Sequence, residues 1–174
     1  MKLTNNLAIE TLMKTYYDEG FTKHQLQQIE EGLKQGLDVS LYAHTYFSFN
    51  QMDCIRKGLE NGYDASVYAK PDFNVYQMQQ ISLGLEYGLD VSSYAKPCFD
   101  EDQMEMILEG LRRNLDVSLY ADPNFTWRQM MQIRFGLEDG IDVSQYLDPD
   151  MHWGDMEDIR KRLEVEMVDR AIEK

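Results

Sequence analysis

Residues Phe73 to Pro97 read FNVYQMQQISLGLEYGLDVSSYAKP, and this unit recurs every 26 residues without an insertion. In register with Gln77 stand Gln25, Gln51, Gln103 and Gln129, each followed at once by Leu26, Met52, Met78, Met104 or Met130; Met156 marks a sixth, partial copy. The isoleucine at 81 returns at Ile29, Ile55, Ile107, Ile133 and Ile159. Behind it come the pairs Gly32-Leu33, Gly58-Leu59, Gly84-Leu85, Gly110-Leu111 and Gly136-Leu137. A second glycine follows at 36, 62, 88 and 140 and is replaced once by Asn114. The unit closes on Asp-Val-Ser-x-Tyr-Ala and then Pro71, Pro97, Pro123 or Pro149, with Thr45 in the proline position of the first copy. Self-similarity at a fixed period is the signature of a repeat architecture.

Each copy carries its own helix punctuation. Thr22, Ser48, Asn74, Asp100 and Thr126 are good N-caps, and the Gln three residues later completes a capping box. The residue before each cap, Phe21, Phe47, Phe73, Phe99, Phe125 or Met151, has the spacing of a hydrophobic staple to the Leu or Met five positions on. Apolar residues at 52, 55 and 59 and their equivalents share one helical face. The pattern predicts a helix of roughly 13 residues, about 20 Å long, stopped by Gly or Asn in a left-handed C-cap. The glycine before the core leucine is read as a small residue that admits a close helix-to-helix approach. The Asp-Val-Ser-x-Tyr-Ala segment begins with another cap candidate and reads as a second helix of one or two turns, ended by the proline. A short strand is the rival, on the alternation of Leu37, Val39, Leu41 and Ala43. Position 41 becomes Val67, Ser93, Leu119 and Gln145 in later copies, which favours the helix.

A unit of one long and one short helix cannot bury its apolar face alone, so stacked copies predict an all-α chain, an α-solenoid of tandem repeats. Residues 1–20 read as an N-terminal capping segment, with Tyr16 in register with Tyr42; 21–150 hold five repeats. Residues 151–174 hold a sixth, partial repeat and a C-terminal capping helix, because Arg162 replaces the core glycine and Glu166 the C-cap glycine.

Composition agrees with a folded chain: of 174 residues 43% are apolar and 11% aromatic, alongside a net charge of −14. No apolar run approaches the roughly 18 residues of a membrane span, and MKLTNNLAIETLMK lacks the apolar block of a signal peptide. The expectation is a soluble, cytoplasmic protein with no membrane partner. Cys54 and Cys98 occupy different repeat positions and read as free thiols of a reducing compartment. The acidic balance repels phosphate, which disfavours direct nucleic-acid binding and favours a protein partner with a basic surface.

Nothing in the sequence assembles a catalytic, cofactor or metal site. His24, His44 and His152 stand at unrelated repeat positions with no second His or Cys at ligand spacing, and read as exposed helix-start or loop residues. The glycines are periodic helix features and do not form a phosphate-binding loop. Ser40, Ser66, Ser92, Ser118 and Ser144 recur as part of the structural motif, not as nucleophiles, and Asp38, Asp64, Asp90, Asp116 and Asp142 recur as caps.

Specificity is expected where the copies differ. One variable file runs along each long helix at i, i+4 and i+8: Phe49-Asp53-Lys57, Val75-Gln79-Leu83, Glu101-Glu105-Glu109, Trp127-Met131-Phe135 and Trp153-Glu157-Lys161. Residues 99–124 hold the largest acid surplus, seven acids against two bases. The candidate partner-binding residues are therefore Glu101, Asp102, Glu105 and Glu109, followed by Trp127, Met131, Phe135 and Trp153. An aromatic anchor beside a carboxylate row suits an Arg- or Lys-rich surface. Two blander readings stand beside it: a solvated acidic face, and an aromatic file packed on the next repeat.

The motif F-x3-Q-M-x2-I-x2-G-L-x2-G-x-D-V-S-x-Y-A-x-P, over about residues 21–163, resembles tandem repeats in poorly characterised proteins on phages, plasmids and conjugative elements of gut Firmicutes. Such elements often encode small acidic inhibitors of host defence, of anti-CRISPR or anti-restriction type. The resemblance implies a non-enzymatic inhibitor of a nucleic-acid-binding defence nuclease. The alternative is a general adaptor or scaffold that grips a helix or peptide through its apolar file. A self-associating array is a third possibility.

Overall fold

A computed structural model describes residues 2–172. Its helices are α1 (Lys2–Asp18), α2 (Lys23–Gln35), α3 (Phe49–Glu60), α4 (Val75–Glu86), α5 (Glu101–Arg112), α6 (Trp127–Glu138) and α7 (Trp153–Ile172). From α2 to α7 the starts at 23, 49, 75, 101, 127 and 153 are each 26 residues apart. The chain is organised as two compact units divided between Glu86 and Tyr87. In the first, α1 packs on α2, α2 on α3 and α3 on α4; in the second, α5 packs on α6 and α6 on α7. No strand occurs among the described residues, and the packing within each unit is that of an all-α repeat solenoid.

The core is built from the same positions of every copy. Met52, Met78, Met104, Met130 and Met156 are wholly buried, as are Ile29, Ile55, Ile81, Ile107 and Ile133 and the tyrosines at 42, 68, 94, 120 and 146. The phenylalanines that precede the caps, Phe21, Phe47, Phe73, Phe99 and Phe125, are buried as well. Each of these side chains contributes about 1.5–3 kcal/mol by leaving water.

The repeated glutamine has a second role that the capping box does not require. In the first copy Gln25 Oε1 accepts the Thr22 N–H at 2.8 Å while its amide nitrogen donates to Phe47 O at 2.7 Å and Thr45 O at 3.2 Å. Gln51 reaches Phe73 O at 2.8 Å. Gln103 reaches Phe125 O at 2.6 Å, and Gln129 reaches Met151 O at 2.7 Å and Pro149 O at 2.8 Å. One side chain thus caps its own helix and ties down the start of the next. A glutamate could do only the first, since it has no N–H to donate.

The short second helix is present at the lower end of its expected length, and the expected role of one glycine is corrected. The short second helix is a single 3-10 turn of three residues, at Val39–Leu41, Ala65–Val67, Val117–Leu119 and Val143–Gln145. It is capped by the preceding Asp, whose carboxylate accepts the N–H of the serine two residues on. The strand reading fails because this Asp–Ser bond bends the backbone into a turn. Likewise the glycine before the core leucine does not serve helix-to-helix approach: it makes room for a tyrosine of its own repeat. A Cβ on Gly32, Gly58, Gly110 or Gly136 would overlap the hydroxyl of Tyr42, Tyr68, Tyr120 or Tyr146 respectively.

Each of α2, α3, α5 and α6 leaves its last turn through a left-handed residue, and Asn114 adopts φ 57° where the other copies use glycine. At α7 no such residue interrupts the chain, and the helix runs for 20 residues instead of 12.

Candidate protein-binding site

The acidic file on α5 is three carboxylates with three different surroundings. Glu101, in the first turn of α5, is half-buried. Glu105 and its neighbour Asp102 are exposed, and among the described residues neither has an ion-pair partner. Glu109 is half-buried and engaged: Arg112 Nη1 lies 2.6 Å away, Arg113 bonds the other oxygen, and Arg113 Nε reaches Glu138 of α6 at 3.2 Å. Partial burial pushes Glu109 up, but hydrogen bonds from Arg113 and Arg112 outweigh it and hold the carboxyl below its ordinary value. Arg112 also covers the Tyr87 ring, 4.4 Å from its centroid. Glu109 is thus a structural link between repeats, and the exposed charge here lies at Glu105 of the file and at its neighbour Asp102.

Comparison with the other copies shows why Glu105 stands out. At its position in the second repeat Asp53 is neutralised by Lys57 at 2.7 Å, and in the sixth Glu157 by Lys161 at 2.6 Å. Both are i, i+4 pairs of the kind that stabilise a helix surface. In α5 the residue four on is Glu109, already committed to two arginines, so Glu105 faces solvent uncompensated.

The aromatic file divides in two. Phe135 is half-buried, with the Arg134 guanidinium 4.6 Å from its ring centre and Arg160 of α7 at 5.5 Å, which places it in the seam between successive repeats. Met131 is half-buried one turn earlier. At the top of the file the structure brings Trp127 and Trp153 together around Arg128, whose guanidinium lies 5.1 Å and 5.2 Å from the two indoles. An open hollow of about 370 Å³ lies there, lined by both tryptophans, Arg128, Asp100 and Asn124 among others. Sequence reading missed Arg128, because nothing in the repeat pattern distinguishes position 128 from Asn50, Tyr76 or Asp102 in the other copies.

A second set of missed residues has a legible signal. Arg56 is buried, and its Nε donates to Gln28 of the preceding repeat at 2.9 Å; Asp53, Glu60 and Glu31 surround its terminal nitrogens at 2.9–3.3 Å. Arg160 Nε meets Gln132 in the same way at 3.1 Å. The glutamines and the arginines each recur at one repeat position, so a position-by-position reading of polar residues could have found both bridges.

The remaining candidates for chemistry have structural partners. Ser40 Oγ donates to Asp38 at 2.6 Å, and His152 Nδ1 accepts the Gly154 N–H at 3.1 Å. His44 stacks on Tyr46, and His24 lies against Phe49. Among the described residues no group of three or more His, Cys, Asp or Glu side chains converges as a metal site would. No described helix is long and apolar enough to cross a membrane. Comparison with known protein families, curated proteins and solved structures returns no match for this chain.

Proposed function

We propose that this chain is a non-catalytic protein-binding repeat module of the cytoplasm, and that its partner presents a basic surface. The observation that carries the reading is the uncompensated pair Asp102 and Glu105 on the most acidic repeat, whereas the acids equivalent to Glu105 in the second and sixth repeats are neutralised by lysine. Lys and Arg side chains that hold phosphate in a nucleic-acid channel are the natural complement to such a surface, and long-range attraction would speed the encounter. The resemblance of the repeats to those of mobile elements adds the context: an inhibitor, of anti-CRISPR or anti-restriction type, that covers the basic channel of a defence nuclease.

Affinity capture from lysate of a bacterial host, with and without nuclease treatment, tests this. The expected result is a nucleic-acid-binding enzyme that is retained after nuclease treatment, is displaced by added nucleic acid, and is lost when Asp102→Lys and Glu105→Lys are combined. Its association should slow as salt rises. A captured protein whose binding ignores both the reversals and salt would overturn the electrostatic reading. The adaptor reading draws on the half-exposed indoles of Trp127 and Trp153, and predicts instead that Trp127→Ala is the damaging change.

A further inference from the structure

The hollow at the starts of α5 and α6, closed on one side by Trp153 of α7, holds a charge of the wrong sign for an acidic binding face. Arg128 is exposed and has no ion-pair partner among the described residues, yet its guanidinium lies within cation-π distance of two indoles. Asp100 adds a carboxylate to the same wall, where it accepts the Gln103 N–H at 2.7 Å. A guanidinium between two indoles with a carboxylate nearby is the environment in which proteins hold a foreign arginine. No other pair of successive repeats provides it: the position of Trp127 and Trp153 is Phe49, Val75 and Glu101 in the copies before.

We infer that the Trp127–Trp153 clamp is the receptor for an arginine side chain of a basic protein partner, and that Arg128 is the chain's own occupant, displaced when the partner docks. This deepens the proposed function and rests on it for the sign of the partner's charge. Three features agree. The clamp already accommodates a guanidinium, so the incoming group fits the space that the native one leaves. Among the described residues no carboxylate pairs with Arg128, so moving it into solvent breaks no ion pair there. The clamp belongs to the same compact unit as Asp102 and Glu105 on the most acidic repeat, and the long-range attraction of these acids favours a ligand that carries several positive charges.

The chain has two tryptophans, both in the clamp, so its intrinsic indole emission reports on this site alone. The full-length protein is titrated with an acetylated, amidated hexa-arginine peptide and, separately, with its hexa-citrulline analogue, following tryptophan emission and the heat of binding. Four proteins are compared: wild type, Arg128→Ala, Trp153→Phe, and the double reversal of Asp102→Lys with Glu105→Lys. Circular dichroism confirms that each is folded, and Trp153→Phe keeps a ring in place so that packing is preserved. Hexa-arginine is expected to change indole emission saturably while hexa-citrulline does not. Removing the competing native cation should tighten binding about two- to fivefold, and Trp153→Phe should weaken it by a similar factor. The double reversal should weaken binding without abolishing the emission change at saturation.

Binding that leaves emission unchanged and is indifferent to Arg128→Ala and Trp153→Phe, but sensitive to the charge reversals, would refute the clamp and leave the acidic-surface reading intact. Weaker binding by Arg128→Ala would also refute it, since Arg128 would then be a contact and not a stand-in. Absence of any hexa-arginine binding would overturn both.

Discussion

The hydroxyl of Tyr42 fills the space in which a side chain on Gly32 would begin, and it donates a hydrogen bond to Gln28 O at 3.1 Å. The same overlap recurs for Gly58 with Tyr68, Gly110 with Tyr120 and Gly136 with Tyr146. Every one of these tyrosines is fully buried, so the pair locks the 3-10 turn of a repeat onto its own helix.

Gly58 offers the cleanest test of this lock, because apart from the Tyr68 ring its nearest neighbour is Ala65 Cβ at an ordinary 3.5 Å. Gly58→Ala should destabilise the protein by about 1–3 kcal/mol despite the better helix propensity of alanine. Adding Tyr68→Phe removes the overlapping oxygen and should recover part of that loss. Urea denaturation of the two single variants and the double variant gives the coupling; additive losses would show that glycine and tyrosine act independently.

Replacement of Gln129 by Glu separates the two roles of the repeated glutamine. The carboxylate still accepts the Thr126 N–H but confronts Pro149 O and Met151 O with oxygen instead of an N–H. A loss of about 2–4 kcal/mol is expected at pH 7 from the two unpaired carbonyls and their repulsion. Part of it should return near pH 4, where the protonated side chain regains one donor. Thermal melts at both pH values check this, and a loss independent of pH would point to the cap alone.

The two thiols should differ sharply in reactivity. Cys98 is exposed, whereas Cys54 is buried, and its burial, with a smaller contribution from Asp53, pushes the thiol up from 9.0 to about 11. That shift alone lowers the thiolate fraction about a hundredfold at neutral pH. A disulfide reagent should therefore titrate one thiol quickly in the native protein and the second only after unfolding. Two fast thiols would contradict the packing of α3.

Acid sensitivity follows from the repeated aspartate caps. Hydrogen bonds from Ser144, its hydroxyl first and its N–H second, hold Asp142 below its ordinary value of 3.8, and Ser40 and Ser92 do the same for Asp38 and Asp90. A depressed carboxyl contributes stability that is complete above 3.8 and is lost as pH falls through the folded value. The denaturation midpoint should thus decline on the acid side. Asp142→Asn should lower it at pH 7 and flatten that decline, and a parallel decline in both proteins would exclude the cap as its source.

Much of this architecture is written in local patterns. Caps, left-handed stops and the Met and Ile stripe depend on neighbours within a few residues, so reading the recurrence of Gln25, Ile29 and Gly36, with Asn114 once in the glycine position, was enough to place the long helices from α2 to α6. Burial of the five tyrosines and the role of Gly32 were not legible in this way, since a glycine that admits a neighbouring helix and one that admits a hydroxyl ten residues away look the same in a row of letters. The Asp-Val-Ser segment was ambiguous for a related reason: three residues are too few for periodicity to separate a turn from a strand.

For the candidate site the division is clearer still. The amino-acid sequence alone determined which positions vary between copies, where the acid surplus lies, and that Trp127 and Trp153 occupy equivalent places in successive repeats. Only the tertiary structure decided that Arg113, already paired with Glu109, reaches Glu138 of the next repeat, that Phe135 lies in an inter-repeat seam, and that the Arg128 guanidinium comes within cation-π distance of the Trp153 indole as well as that of Trp127. The physical reason is range. Helix signals act through the backbone over one or two turns, whereas the state of a charged or aromatic side chain depends on groups that stacking brings in from 25 or more residues away.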